Sequence, residues 1–153
     1  MLKSLALAVA LFLAPAAIVH AERPPQIVKV LPHFLDLNGR HTVSPSLYER
    51  DAYQADLRKH PEKVSALRFD IQWKSGPHKS GNLKLRLEMI GAKSRPNEIK
   101  ILEKPVTPNR WWENWSSLAL TKEEFHAIGE PTAWRVTLLD GQTVIAEQKS
   151  FLW

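Results

Sequence analysis

The sequence predicts a mainly β protein, an antiparallel two-sheet immunoglobulin-like sandwich carrying two short helices. Apolar and polar residues alternate with period two in several segments. Turn signals rich in Gly, Pro, Asn and Asp separate those segments. Six or seven short strands then fall within about 130 residues, the proportions of a sandwich domain. There is no cysteine, so the Cys, Trp, Cys pattern of antibody-type domains is missing.

The chain opens with a segment that concerns address. Lys3 gives a positive start, Leu5 to Val19 is almost wholly apolar, and Val19-His20-Ala21 precedes Glu22. This layout predicts a secretory signal peptide over residues 1–21, cleaved after Ala21. Its apolar run of about 15 residues is short for a permanent transmembrane helix. The mature domain is expected over residues 22–153, exported to the periplasm or cell exterior, with no transmembrane segment.

Ile27 to Leu31 is a strand candidate bracketed by Pro24-Pro25 and Pro32, and Glu98 to Glu103 is one closed by Pro105 and Pro108. Proline cannot donate to a ladder, so each segment ends there or lies at a sheet edge. Ser46 to Lys59 reads as a helix with Ser46 and Glu49 in a capping box. Its apolar stripe is thin: Leu47, Tyr48, Ala52, Ala55 and Leu57. Leu67, Phe69, Ile71 and Trp73 alternate with polar residues, and so do Leu83, Leu85, Leu87 and Met89. These two strands are expected to pair across the intervening loop, sharing a solvated face of Arg68, Asp70, Gln72, Lys74, Lys84, Arg86 and Glu88. Asn109 to Ser117 reads as a strand or a structured loop.

Thr121 and Glu124 form a capping box for a second helix, which Gly129 stops. Ala133 to Leu139 and Val144 to Trp153 flank Asp140-Gly141, a hairpin turn requiring positive φ. Val144 and Ala146 are out of phase with Phe151 and Trp153, so a bulge is expected between Glu147 and Ser150. Phe151-Leu152-Trp153 is expected to pack into the core.

Charge and composition narrow the function. Setting Lys3 aside leaves 20 basic against 16 acidic residues, a net +4 with both signs interspersed. No Lys/Arg block tracks phosphates, so no nucleic-acid partner is expected. Without cysteine there is no disulfide, thiolate metal site or cysteine nucleophile. His33, His41, His60, His78 and His126 show no i, i+3 or i+4 pair, and only His33, Asp36 and His41 can meet around the Asn38-Gly39 turn. No metal or other cofactor is therefore expected.

The positive clue is Asn109-Arg110-Trp111-Trp112-Glu113-Asn114-Trp115. Flat aromatic faces beside amide and charged groups suit a saccharide, whose ring stacks on indole while its hydroxyls hydrogen-bond. Arg110, Trp111, Trp112, Glu113, Asn114 and Trp115 are the candidate binding residues. On a strand, Trp111, Glu113 and Trp115 would share one face, and Trp112 and Asn114 the other. In the competing reading Trp111 and Trp115 plug the sandwich end and Trp112 covers the second helix. Asn114-Trp115-Ser116 also matches the N-glycosylation pattern, which short chance matches reproduce often.

No G-x-S-x-G elbow is present, and no catalytic residue is assigned. The expectation is an exported, non-catalytic interaction or accessory module that binds protein or glycan at the cell envelope. The alternatives are a structural envelope component without a ligand and a small secreted glycan hydrolase using acids such as Asp70, Glu88 or Glu113.

Overall fold

The period-two segments become strands, and the capped segments become helices. The structure, a computed structural model, describes residues 23–78, 81–96, 98–109 and 113–153. The expected signal segment 1–21 and Arg110, Trp111 and Trp112 lie outside the described residues. In chain order the elements are β1 (Gln26–Asp36), α1 (Leu47–Lys59), β2 (Val64–Lys74), β3 (Leu83–Gly91) and β4 (Lys100–Pro105). They continue with β5 (Asn114–Thr121), α2 (Lys122–Ile128), β6 (Pro131–Asp140) and β7 (Thr143–Lys149).

Two antiparallel sheets result, with strand orders β1-β2-β5 and β4-β3-β6-β7. Leu67, Phe69, Ile71 and Trp73 of β2 face Leu85, Leu87, Met89, Val136 and Leu138 of the other sheet in one shared core. Each such side chain contributes about 1.5–3 kcal/mol on burial. The Trp73 indole N–H is not left dry, since it donates to Ser116 Oγ at 3.1 Å.

The expected pairing of β2 with β3 is not formed. β2 is central to the three-stranded sheet, between β1 and β5, and β3 is central to the four-stranded one. The connection from Ser75 to Asn82 is long enough to cross the roughly 10 Å between packed sheets. A strong period-two run on each side of it could not distinguish pairing from crossing. The expected single solvated face is accordingly two: Arg68, Asp70, Gln72 and Lys74 lie outside one sheet, and Lys84, Arg86 and Glu88 outside the other. The second set is knitted by Arg86–Glu103 at 2.6 Å, Lys84–Glu103 at 2.8 Å and Arg135–Glu88 at 2.8 Å.

Both proline-bounded segments lie at sheet edges. β4 ends at Pro105, while β1 runs on through Pro32, opposite Phe69. The Phe34 N–H and C=O both bond outward to Gln54, so by the alternation of the ladder Pro32 also faces outward. Its missing N–H therefore costs no bond to β2.

α2 forms with both halves of its capping box: Thr121 Oγ1 accepts from the Glu124 N–H, and Glu124 accepts from the Thr121 N–H at 2.9 Å. Gly129 closes it at φ 75°. Gly91 is packed so tightly against this helix end that a Cβ there would overlap the Ile128 carbonyl. Gly141 takes the expected positive φ, 60°, in the β6–β7 turn.

α1 differs from its expectation. Ser46 precedes it but makes no side-chain cap bond. Leu47 and Tyr48 are exposed, as are Ala52 and Ala55, and only Leu57 of the expected stripe is buried. Polar groups hold the helix instead. Gln54 accepts from the Phe34 N–H at 2.8 Å and donates to the carbonyls of Phe34 at 2.9 Å and His41 at 2.7 Å. Tyr53 donates to Asp36 Oδ2 at 2.7 Å.

The chain end also departs from expectation. β7 is an edge strand whose register shift falls between Ala146 and Val144, ahead of the expected bulge. Past Lys149 the ladder stops. Phe151 is 100% exposed and Leu152 largely so, while Trp153 lies over the Arg135 guanidinium at 4.9 Å. The chain turns there, the Trp153 N–H donating to the Ser150 carbonyl at 3.3 Å, which carries Phe151 and Leu152 away from the sheet. Among the described residues, no helix is long and apolar enough to cross a membrane.

Candidate functional site on the outer face of the three-stranded sheet

β2 supplies the scaffold, because its outward residues alternate with four fully buried ones and are therefore fixed in direction. Its neighbours complete three rows across the face: His33–Arg68–Ala119, Leu31–Asp70–Ser117 and Lys29–Gln72–Trp115.

Asp70 is the hub of the middle row. One oxygen accepts from the Ser117 hydroxyl at 2.6 Å, and the other accepts from Arg68 Nε at 3.2 Å and Nη2 at 2.9 Å. His33 Nε2 stands 3.7 Å from that second oxygen. Burial holds the His33 imidazole below its ordinary value, against the opposing pull of Asp70. The His41 ring approaches His33 at 4.9 Å between centroids, and Nδ1 of His41 lies 3.4 Å from Arg68. The two histidines thus meet, but Asp36 does not join them. Its carboxylate serves Tyr53, Arg40 and the loop amides instead. Among the described residues, no group of three or more His, Cys, Asp or Glu is placed to hold a metal ion.

Trp115 lies one row from Asp70, 49% exposed on the outer face. It does not plug the sandwich end; Trp73, on the inner face of β2, fills the core there. Beside Trp115, the Gln72 amide donates to the Glu113 carboxylate. That bond fixes the amide orientation, because a reversed amide would set two acceptors against each other. Gln72 is only 5% exposed, and its Oε1 is buried with no hydrogen-bond partner among the described residues. Such orphaned buried acceptors are uncommon.

Asn114 plays a different part. It faces inward opposite Trp73, accepts from the Asn109 N–H at 2.5 Å and donates to the Trp73 carbonyl at 3.3 Å. It therefore ties down both ends of the 109–114 segment. Of the expected binding residues, Trp115 and Glu113 share the open face and Asn114 braces it from behind.

The face also gathers His33, His41, Arg68, Asp70, Gln72 and Ser117. Alternation in β2 marked its polar residues as outward, but no local pattern tells which β1 and β5 residues stand beside them. The acids considered for hydrolysis are divided. Asp70 and Glu113 belong to this sheet, and Glu88 sits on the far sheet, paired with Arg135. No protein-family model, curated protein or solved structure matches this chain.

Proposed function

We propose that this chain is an exported, non-catalytic module that binds a saccharide of the cell envelope or its surroundings on the outer face of the three-stranded sheet. The observation that carries this reading is the half-exposed Trp115 indole beside the exposed Glu113 carboxylate, which the Gln72 amide holds in place. A pyranose offers what both groups need: an apolar ring face for the indole and hydroxyl donors for the carboxylate. The Asp70–Ser117–Arg68 cluster supplies further acceptors and donors along the same face. Trp115 would stack, Glu113 and Ser117 would read hydroxyls, and Gln72 and Asn114 would hold the segment in place.

The immunoglobulin-like assignment accompanies this reading. The order β1-β2-β5 against β3-β6-β7 matches the A-B-E and C-F-G neighbours of that fold, with β4 on the β3 side. Such sandwiches host many unrelated functions, so the site carries the proposal and the fold does not.

The experiment is affinity electrophoresis and calorimetry of residues 22–153 with soluble peptidoglycan fragments and plant and bacterial polysaccharides. Retention by at least one polymer, lost in Trp115→Ala while the thermal transition is kept, is the expected result. Equal retention of the wild-type and Trp115→Ala proteins, or no retention by any polymer, would overturn the proposal.

A further inference from the structure

A cavity of about 330 Å³ opens at the edge of β1, where α1 and the start of β6 approach it. Its accessible apolar lining is Leu31, Pro32, Pro131 and the partly buried Trp134, with polar groups between them. Leu67 and Phe69 lie beneath this lining but are fully buried, so the opening stops short of the core. It holds roughly twice the volume of the ~150 Å³ engineered cavity that admits benzene.

The mouth carries charge of both signs. Arg50, Asp51 and Arg58 come from α1, and Glu130 from the turn before β6. Residues 50, 54 and 58 stand one helical turn apart on one face, about 6 Å between neighbours along the axis. Gln54 in the middle is fully engaged with β1 and His41. The helix is therefore fixed over the opening, with one arginine on each side of Gln54. Arg58 Nε meets Glu130 Oε1 at 2.8 Å across the mouth, and its guanidinium lies over the Phe34 ring at 5.7 Å. Arg50 meets Asp51 at 3.1 Å.

These pairs are solvent-exposed: the Arg58 and Glu130 side chains are 62% and 46% accessible. Exposed pairs are worth little and exchange partners readily. A ligand with only a carboxylate would meet the arginines but also Asp51 and Glu130. A ligand with only an ammonium would meet the reverse conflict. A zwitterion satisfies both signs and leaves its apolar body for the apolar lining between them.

We propose that this cavity binds a free apolar α-amino acid, its carboxylate on Arg58, its ammonium on Glu130 and its side chain against Leu31, Pro32 and Trp134. The site borders the saccharide face, sharing Leu31 and His33 with it, and does not depend on saccharide binding.

Calorimetry and amide NMR of residues 22–153 would compare L-phenylalanine with 3-phenylpropionate, which lacks the amino group, and phenethylamine, which lacks the carboxylate. Phenylalanine is expected to bind at least about tenfold more tightly than either, because one charge of the mouth is left unmatched in each analogue. Arg58→Ala and Glu130→Gln each lie on the surface and should weaken phenylalanine by about tenfold while the thermal transition is kept. Glu130→Gln should leave 3-phenylpropionate unimpaired, and Trp115→Ala should change none of these affinities. Equal binding of all three compounds, no binding at millimolar concentration, or insensitivity to both substitutions would overturn the proposal.

Discussion

Replacing Gln54 by Leu removes three hydrogen bonds and little volume. The bonds run to the Phe34 N–H, the Phe34 carbonyl and the His41 carbonyl, at 2.8, 2.9 and 2.7 Å. Each is worth about 0.5–1.5 kcal/mol net. All three are partly buried, so water recovers some of the loss. A destabilisation of about 2 kcal/mol follows, or roughly 6–10 °C in Tm for a domain of this size. The loss has a local signature, because the Phe34 amide has its partner in this side chain. Hydrogen exchange at Phe34 should therefore accelerate more than at Leu67 or Phe69, whose protection reports global unfolding. Gln54→Glu should not rescue, since a carboxylate cannot donate to two carbonyls. Urea titration with exchange read residue by residue checks the expectation. A change below about 0.5 kcal/mol, or unchanged Phe34 protection in Gln54→Leu, would refute the account of how α1 is held.

Three further outcomes follow from local geometry. Thr121→Ala should cost about 1 kcal/mol, seen as a lower urea midpoint at constant slope, because the capping box loses its hydroxyl acceptor. Gly91→Ala should destabilise by more than 2 kcal/mol or prevent folding, as a Cβ overlaps the Ile128 carbonyl, whereas Gly81→Ala, in open space, should be close to neutral. The Tyr53 hydroxyl, the Arg40 amide and the Arg40 guanidinium hold the Asp36 carboxyl well below its ordinary value of 3.8. A depressed folded-state value gives stability that is present above pH 4 and lost as pH falls below it. Tyr53→Phe should lower the urea midpoint at neutral pH and flatten its decline on acidification.

The parts of the fold that a local pattern encodes were legible, and those set by distant partners were not. Strict alternation marked β2 and β3, and a capping box four residues long marked α2. Asp140-Gly141 marked the last hairpin. The α1 packing face escaped because Gln54 and Tyr53 create it by bonding to β1 and Asp36, which apolar periodicity cannot register. Phe151 and Leu152 read as core because they are apolar, yet β7 is an edge strand and ends before them. The same division holds at the candidate site. The aromatic run around Trp115 stood out, but its neighbours Gln72, Asp70 and Ser117 are assembled only by the β2–β5 register. Crossing from one sheet to the other, rather than turning back, is what brings β5 beside β2.

The most direct test of the saccharide reading is a nitrogen-15 NMR titration of residues 22–153 with the oligosaccharide of any polymer that retains the protein. The reading predicts shifts at the Trp115 indole, the Gln72 side-chain amide and the backbone of 68–72 and 115–117, with the four-stranded sheet unchanged. Saturable shifts confined to the far sheet, or a Trp115 indole that stays fixed throughout, would contradict it.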